Sequence, residues 1–154
     1  GCDAVVSAVG GAKAGAPRVV VDAAPALIEG LRQANVTRLL VVGGAGGLRA
    51  PEGGRVVDRP SFREDWKPAA LAQIDALETL RRDGGELDWT FVAPADVIEP
   101  GERTGRYGTS TDDLVVDAHG ESFISAEDYA VALVDELERP RALRERLAVG
   151  PARG

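Results

Sequence analysis

Three short apolar runs separated by two stretches of helical period leave this chain few folds to choose from. Ala4-Val5-Val6-Ser7-Ala8-Val9, closed by Gly10-Gly11, is almost continuously apolar. It reads as a strand covered on both faces, as in a parallel sheet. Ala24, Leu27, Ile28, Leu31 and Ala34 then recur at helical spacing, with Asp22 as the N-cap and Pro25 in the tolerated first turn. Leu39-Leu40-Val41-Val42 is the second strand. Leu71, Ile74, Leu77 and Leu80 or Arg81 mark a helix that starts near Pro68 and stops at Asp83-Gly84-Gly85. Residues 87–92 form the third strand. This order implies right-handed crossovers and a parallel α/β sheet, with binding along the rim made by residues 7–11, 43–47 and 93–96.

The second strand runs into four glycines in RLLVVGGAGG, residues 38–47. A phosphate-cradling turn must open a helix, so that free N–H groups and the helix dipole face the anion. Here the glycines lead into Leu48-Arg49-Ala50-Pro51-Glu52-Gly53-Gly54, which has no helical period, and Arg49 stands where G-x-G-x-x-G needs its third glycine. The loop is therefore a strand end with room for a flat ligand. Glycine alone reports only close backbone approach or positive φ, so a plain strand-to-loop turn is the competing account.

Length and composition, 154 residues of which 44% are hydrophobic, suit one globular domain with a real core. The net charge is −7 and the eighteen basic residues are scattered, which argues against nucleic acid and anionic membranes as partners. No apolar run approaches the eighteen or so residues that cross a bilayer, so a cytoplasmic location is expected. A single cysteine, Cys2, excludes an internal disulfide and reads as a small buried filler. The single histidine, His119, lies in Asp117-Ala118-His119-Gly120 and reads as a solvated turn, with no nucleophile nearby. No metal site is expected.

Beyond the third strand, residues 100–107 are too glycine-rich and charged for a core element and read as an exposed loop. Leu114-Val115-Val116 and Ser122-Phe123-Ile124 bracket the His119 turn as a hairpin or two short strands. Ser125-Ala126-Glu127-Asp128 resembles a capping box, and Tyr129, Ala130, Leu133, Val134 and Leu137 form the apolar face of the helix it opens, which Pro140 ends. Leu147-Ala148-Val149 is a last strand. The chain contains no methionine, so something is expected before Gly1. As an edge, the first run would leave backbone groups unpaired and apolar side chains worth roughly 1.5–3 kcal/mol each when buried. A neighbouring strand is expected outside it.

Five segments, CDAVVSAVGG, RLLVVGGAGGL, DWKPAALAQIDALETLR, LDWTFVAPADVIEPGERTGRY and SFISAEDYAVALVDELE, together resemble the carboxyl-terminal part of an atypical short-chain dehydrogenase. The group is the NAD(P)H-binding, NmrA-like one that includes NADH-flavin reductases and biliverdin-reductase-B-like enzymes. The resemblance implies a three-layer Rossmann-like sheet over residues 1–154, a single NAD(P)-binding domain whose first β-α-β-α-β half, with the glycine-rich pyrophosphate turn, precedes this chain. The cofactor would be NADP or NAD. Ser7, Ala8, Val9 and Gly10 match the strand end under the adenosine half, and Gly43, Gly44 and Ala45 sit where relatives with full dehydrogenase chemistry place the catalytic serine. Lys67 matches the family's lysine on the nicotinamide ribose and is the candidate catalytic residue. Its retention among sixteen arginines and only one other lysine, Lys13, points the same way, although Lys13 shows that an ordinary loop lysine is tolerated. A tyrosine four residues earlier would complete the dyad, but Arg63 stands there.

With neither serine nor tyrosine, reduction of a ketone or aldehyde lacks its positioned acid, commonly worth about 10²–10⁴-fold. A flavin or quinone delocalises the incoming electrons and takes its proton from water. The expected activity is therefore NAD(P)H-dependent reduction of a flavin, quinone or similar small conjugated acceptor. Pro94 and Ala95 would form a flat floor, Trp66 a wall, and the loop with Arg103, Arg106 and Tyr107 the substrate side. A non-catalytic NAD(P)-sensing regulator and an epimerase or dehydratase are the alternatives. The oligomeric state is not legible.

Overall fold

A computed structural model describes residues 1–11, 13 and 15–152. The alternation of elements is the expected one. In chain order the elements are β1 (Ala4–Ser7), α1 (Val19–Ala34), β2 (Arg38–Val42), α2 (Lys67–Asp83), β3 (Asp88–Ala93), β4 (Val97–Glu99), β5 (Gly108–Ser110), β6 (Phe123–Ser125), α3 (Ala126–Glu138) and β7 (Glu145–Gly150). The main sheet runs β1-β2-β3-β7-β5, parallel except for β5, which is antiparallel to β7. β4 and β6 form a separate parallel pair.

The period-two alternation of strand side chains sorts the core into two layers. Leu39, Trp89, Phe91 and Ala148 face α1 and α2, packing with Ile28, Leu31, Leu77 and Leu80. Their neighbours Leu40, Val92, Leu147 and Val149 face the other way, onto Tyr129 and Ala132 of α3. The helices of the first two crossovers, α1 between β1 and β2 and α2 between β2 and β3, pack side by side on one face. A seam of small residues, Ala24, Ala72 and Ala76, lets them approach closely. α3 covers the opposite face, which completes three layers.

Several local readings are corrected. α1 begins at Val19, and Asp22 lies in its first turn while Pro25 sits inside it, because Val20 extends the buried stripe of Ala24, Ile28 and Leu31 by one more turn. The buried face of α2 is Ala72, Ala76, Leu77, Thr79 and Leu80, and Leu71 is exposed. On α3, Ala130 and Val134 are exposed, and the buried positions are Asp128, Tyr129, Ala132 and Glu136. Residues 114–116 pair with no strand, and β6 pairs with β4, so the His119 turn closes no hairpin. Cys2 is exposed. The open flank expected of the first strand is present, since β1 pairs with β2 alone among the described strands and Val6 on it is exposed.

A charge buried against the amino ends of the strands pins α3 in place. Glu136 is fully buried and accepts hydrogen bonds from Arg38 (3.1 Å) and from the backbone N–H groups of Arg141 and Ala142. Arg38 also donates to Thr90 Oγ1 at 2.8 Å, and that hydroxyl donates to the Ala142 carbonyl. Burial lowers the Arg38 pKa, and the adjacent carboxylate opposes the shift. Segments distant in sequence thus meet at one ion pair whose terminal guanidinium nitrogens are bonded, while Arg38 Nε is buried without a partner.

The other end of α3 organises residues 100–107. Ser125 Oγ caps the helix by accepting from the Asp128 N–H, but the Asp128 carboxylate does not complete the box. It accepts instead from Thr104 Oγ1 (2.6 Å) and the Gly105 N–H (2.7 Å), while Ser125 Oγ donates to the Glu102 carbonyl. Desolvation raises the Asp128 pKa, yet these bonds together outweigh it and hold the carboxyl below its ordinary value of 3.8.

Truncating Glu136→Ala leaves Arg38 buried and unpaired, with an expected loss of about 3–5 kcal/mol in urea unfolding, whereas the paired change Arg38→Met with Glu136→Leu recovers most of it. Equal losses in both proteins would contradict the ion-pair account. Because the Asp128 pKa is depressed by folding, its grip on the loop is full above the ordinary carboxylate range and is lost as pH falls through the depressed value. Asp128→Ala should expose Arg103 and Arg106 to rapid trypsin cleavage at neutral pH; unchanged digestion would show that the loop is held by something else.

Candidate functional site

The carboxyl ends of β2 and β3 open into one cleft of about 640 Å³, a size usual for small-molecule sites. Most of its lining comes from three places. Gly43, Gly44, Ala45 and Gly46 leave β2, Pro94, Ala95 and Asp96 leave β3, and Phe62, Trp66, Ala69, Ala70 and Gln73 come from the approach to α2 and its first two turns. Positions 66, 69, 70 and 73 fall on one side of a helix, which is why they share this wall.

The glycines differ in what they do. A Cβ on Gly43 would lie 2.2 Å from the Phe91 ring, and one on Gly46 would lie 2.9 Å from Ala70 Cβ. Those two are required by packing. At Gly44 the backbone is extended (φ −132°), and a Cβ would touch only Gln73 Cγ at 3.5 Å. Neither backbone nor packing requires glycine there, so the absent side chain leaves space on the floor of the cleft. A Cβ on Gly10 would meet nothing within 4 Å. The glycine run ends in a 3-10 turn, Ala45–Gly47, with no helix opening behind it, as its failed phosphate-loop spacing requires.

Tyr129 supports this floor from beneath. Its hydroxyl donates to the Val92 carbonyl at 2.7 Å, the same oxygen that accepts the Gly43 N–H at 2.9 Å. Burial pushes the phenol pKa far above its usual value. From the α1 side of the sheet, Arg146 donates to the Gly47 carbonyl at 2.9 Å and pairs with Asp112. At the open end, Arg59 bridges Glu52 (2.6 Å) and Asp96 (2.9 Å), and Arg63 pairs with Asp65 while stacking over the Trp66 ring at 4.4 Å. The Arg63 hydrogen bond holds the Asp65 carboxyl below its ordinary range.

Among the expected site residues, Gly43, Gly44, Ala45, Pro94, Ala95 and Trp66 converge on the cleft. Ser7 is buried at the end of β1 beside a small apolar pocket that also takes in Val9, and Ala8 and Gly10 are exposed. Lys67 is outside the cleft wall, because it falls off the helical stripe, and its ammonium pairs with Glu64 at 3.0 Å. Lys13, the other lysine, borders the cleft. The loop residues are displaced from it. Tyr107 gives its hydroxyl to Asp135 at 2.6 Å, and Arg106 lines a separate cavity with Phe123 and Asp128. Arg103 is exposed and belongs to the same loop, which the Asp128 bonds tie to α3. His119 is an exposed turn residue.

Gln73, Tyr129 and Arg146 were not legible as site residues. An arginine inside the apolar strand of residues 145–150 was the one available signal. Among the described residues no group of acidic, histidine or cysteine side chains could hold a metal, and no helix is long and apolar enough to cross a membrane.

Comparison with known proteins agrees with this geometry. A family model described as NAD(P)H-binding matches residues 1–140. A protein of Burkholderia pseudomallei, provisionally named an exported protein, is 47% identical, with a TM-score of 0.89 over 97% of this chain and 72% of its own. A provisionally named NADH-flavin reductase of Streptococcus pneumoniae is 38% identical, with a TM-score of 0.88 over 98% of this chain and 72% of its own. A provisionally named epimerase of Bacteroides thetaiotaomicron is also 38% identical, with a TM-score of 0.87 over 100% of this chain and 69% of its own. The chain belongs to the NAD(P)H-binding family, with its Rossmann-like fold and its NAD or NADP cofactor.

Proposed function

We propose that this chain is the nicotinamide-side part of a single NAD(P)H-dependent reductase domain that passes hydride to a planar conjugated small molecule such as a flavin or quinone. One observation carries the reading: none of the described residues lining the cleft is Ser, Thr, Tyr, Cys or His. The two carboxylates there are engaged as hydrogen-bond acceptors by Arg63 and Arg59. Lys13, the one ammonium bordering the cleft among the described residues, is solvent-exposed, so a carbonyl acceptor would gain an alkoxide with no buried acid held against it. A flavin or quinone spreads the charge over its rings and needs mainly to be stacked in place.

The bound cofactor would supply the hydride. The chain's own residues supply shape: Gly43, Gly44, Ala45, Pro94 and Ala95 give a floor free of projecting groups, and Phe62, Trp66 and Ile98 give the acceptor apolar walls. Ser7, Ala8, Val9 and Gly10 lie along the same rim toward the adenosine half. A cytoplasmic location and a NmrA-like grouping belong to the same proposal, as does the absence of a nucleic-acid or membrane partner.

The full chain should oxidise NADPH or NADH at 340 nm when FMN or menadione is present, and not with simple ketones or aldehydes. Turnover of carbonyls without turnover of flavin or quinone would overturn the reading, and tight cofactor binding with no turnover on any acceptor would favour the sensor instead. Ala69→Trp fills the cleft and is expected to lower kcat/KM more than about tenfold with little change in Tm. Lys67→Ala breaks an exposed ion pair, so a loss under about threefold is expected; a loss beyond tenfold would return Lys67 to the cofactor ribose.

A further inference from the structure

Gln73 is the one uncharged side chain with a hydrogen-bond acceptor among the described residues of the cleft wall, and that acceptor is unsatisfied. Its Oε1 is sealed from solvent and accepts no hydrogen bond from any described residue. Every other position that α2 turns inward is apolar or internally satisfied: Ala72, Ala76, Leu77 and Leu80 are buried, and Thr79 donates to the Asp75 carbonyl. A leucine or methionine would fill the same wall without desolvating an amide.

The position is also strategic. Gln73 lines both the cleft and the adjoining apolar pocket under Ser7, Val9 and Val41, so it stands where the rim of β1 meets the rim of β2. Gly44 leaves the space beside its Cγ open. The terminal torsion of glutamine is broad, so the carboxamide can exchange its two ends between the pocket and the cleft at little cost.

We propose that Gln73 is a specificity-determining residue of the cofactor site, turning its carboxamide oxygen into the cleft to accept a hydrogen bond from an N–H or O–H donor on the nicotinamide half of the dinucleotide. This rests on the reading that the cleft takes that half. The donor is the nicotinamide amide or a hydroxyl of its ribose, and two probes separate them. Reduced nicotinamide dinucleotide carries both donors, whereas its 3-acetylpyridine analogue has no amide N–H.

The test measures the dissociation constants of NADPH, NADH, reduced 3-acetylpyridine adenine dinucleotide and ADP for the full chain and for Gln73→Met, together with the Tm of each protein without ligand. Losing one hydrogen bond should weaken NADPH and NADH by about tenfold, leave ADP unchanged, and leave the unliganded Tm equal or higher. An analogue weakened by the substitution as much as NADH assigns the ribose; an analogue indifferent to it assigns the amide. A Gln73→Met protein that binds NADPH and NADH as tightly as wild type does overturns the role of Gln73 alone. A fall in Tm accompanied by equal weakening of every ligand, ADP included, also overturns it, since that marks a structural residue. Wild type that binds neither NADPH nor NADH overturns the cofactor reading itself.

Discussion

The architecture hangs on a charge pair that lies at the opposite end of the strands from the site. Glu136 and Arg38, with Thr90 and the backbone of residues 141 and 142, tie α3 to the amino ends of β2 and β3. A buried pair of this kind adds little net stability over a well-packed apolar core, but breaking it is costly. What it adds is register. With α3 fixed at Glu136, two turns away Tyr129 reaches the Val92 carbonyl beneath the cleft, and Asp128 reaches the loop of residues 100–107.

The floor of the cleft is therefore supported from both faces of the sheet. From one side Tyr129 and the Gly43 N–H share the Val92 oxygen. From the other, Arg146 crosses from β7 to the Gly47 carbonyl. Between these supports the backbone of residues 43–47 carries almost no side chain, and a ligand can approach it closely. Rigid support beneath an unobstructed surface is what stacking one flat ring on another needs, since it fixes geometry without requiring a reacting group from the protein.

Sequence periodicity was a sound guide wherever a residue's partners were near it or one strand away. The strands at residues 4–7, 38–42, 88–93 and 145–150, the glycine stop after Asp83 and the exposed loop after Pro100 all follow from local pattern. Misreadings arose where a distant partner decided the outcome. Asp128 looks like the second half of a capping box, but Thr104 and Gly105 take its carboxylate. Tyr107 looks like part of a substrate loop, but Asp135 claims its hydroxyl. Lys67 is the exception, since a local partner decides it: its ammonium pairs with Glu64, three residues earlier. Gln73 has no sequence signature, because its importance lies in bonds that it does not make.

The most direct measurement is an NMR titration of the full chain with NADPH, following backbone amides. Shifts concentrated at residues 43–46, 95 and 96, extending along 7–10, with Phe123 and Asp128 unmoved, are the predicted result. Shifts confined to the 100–107 loop and β6, with the glycine rim unmoved, would place the dinucleotide elsewhere and contradict the account.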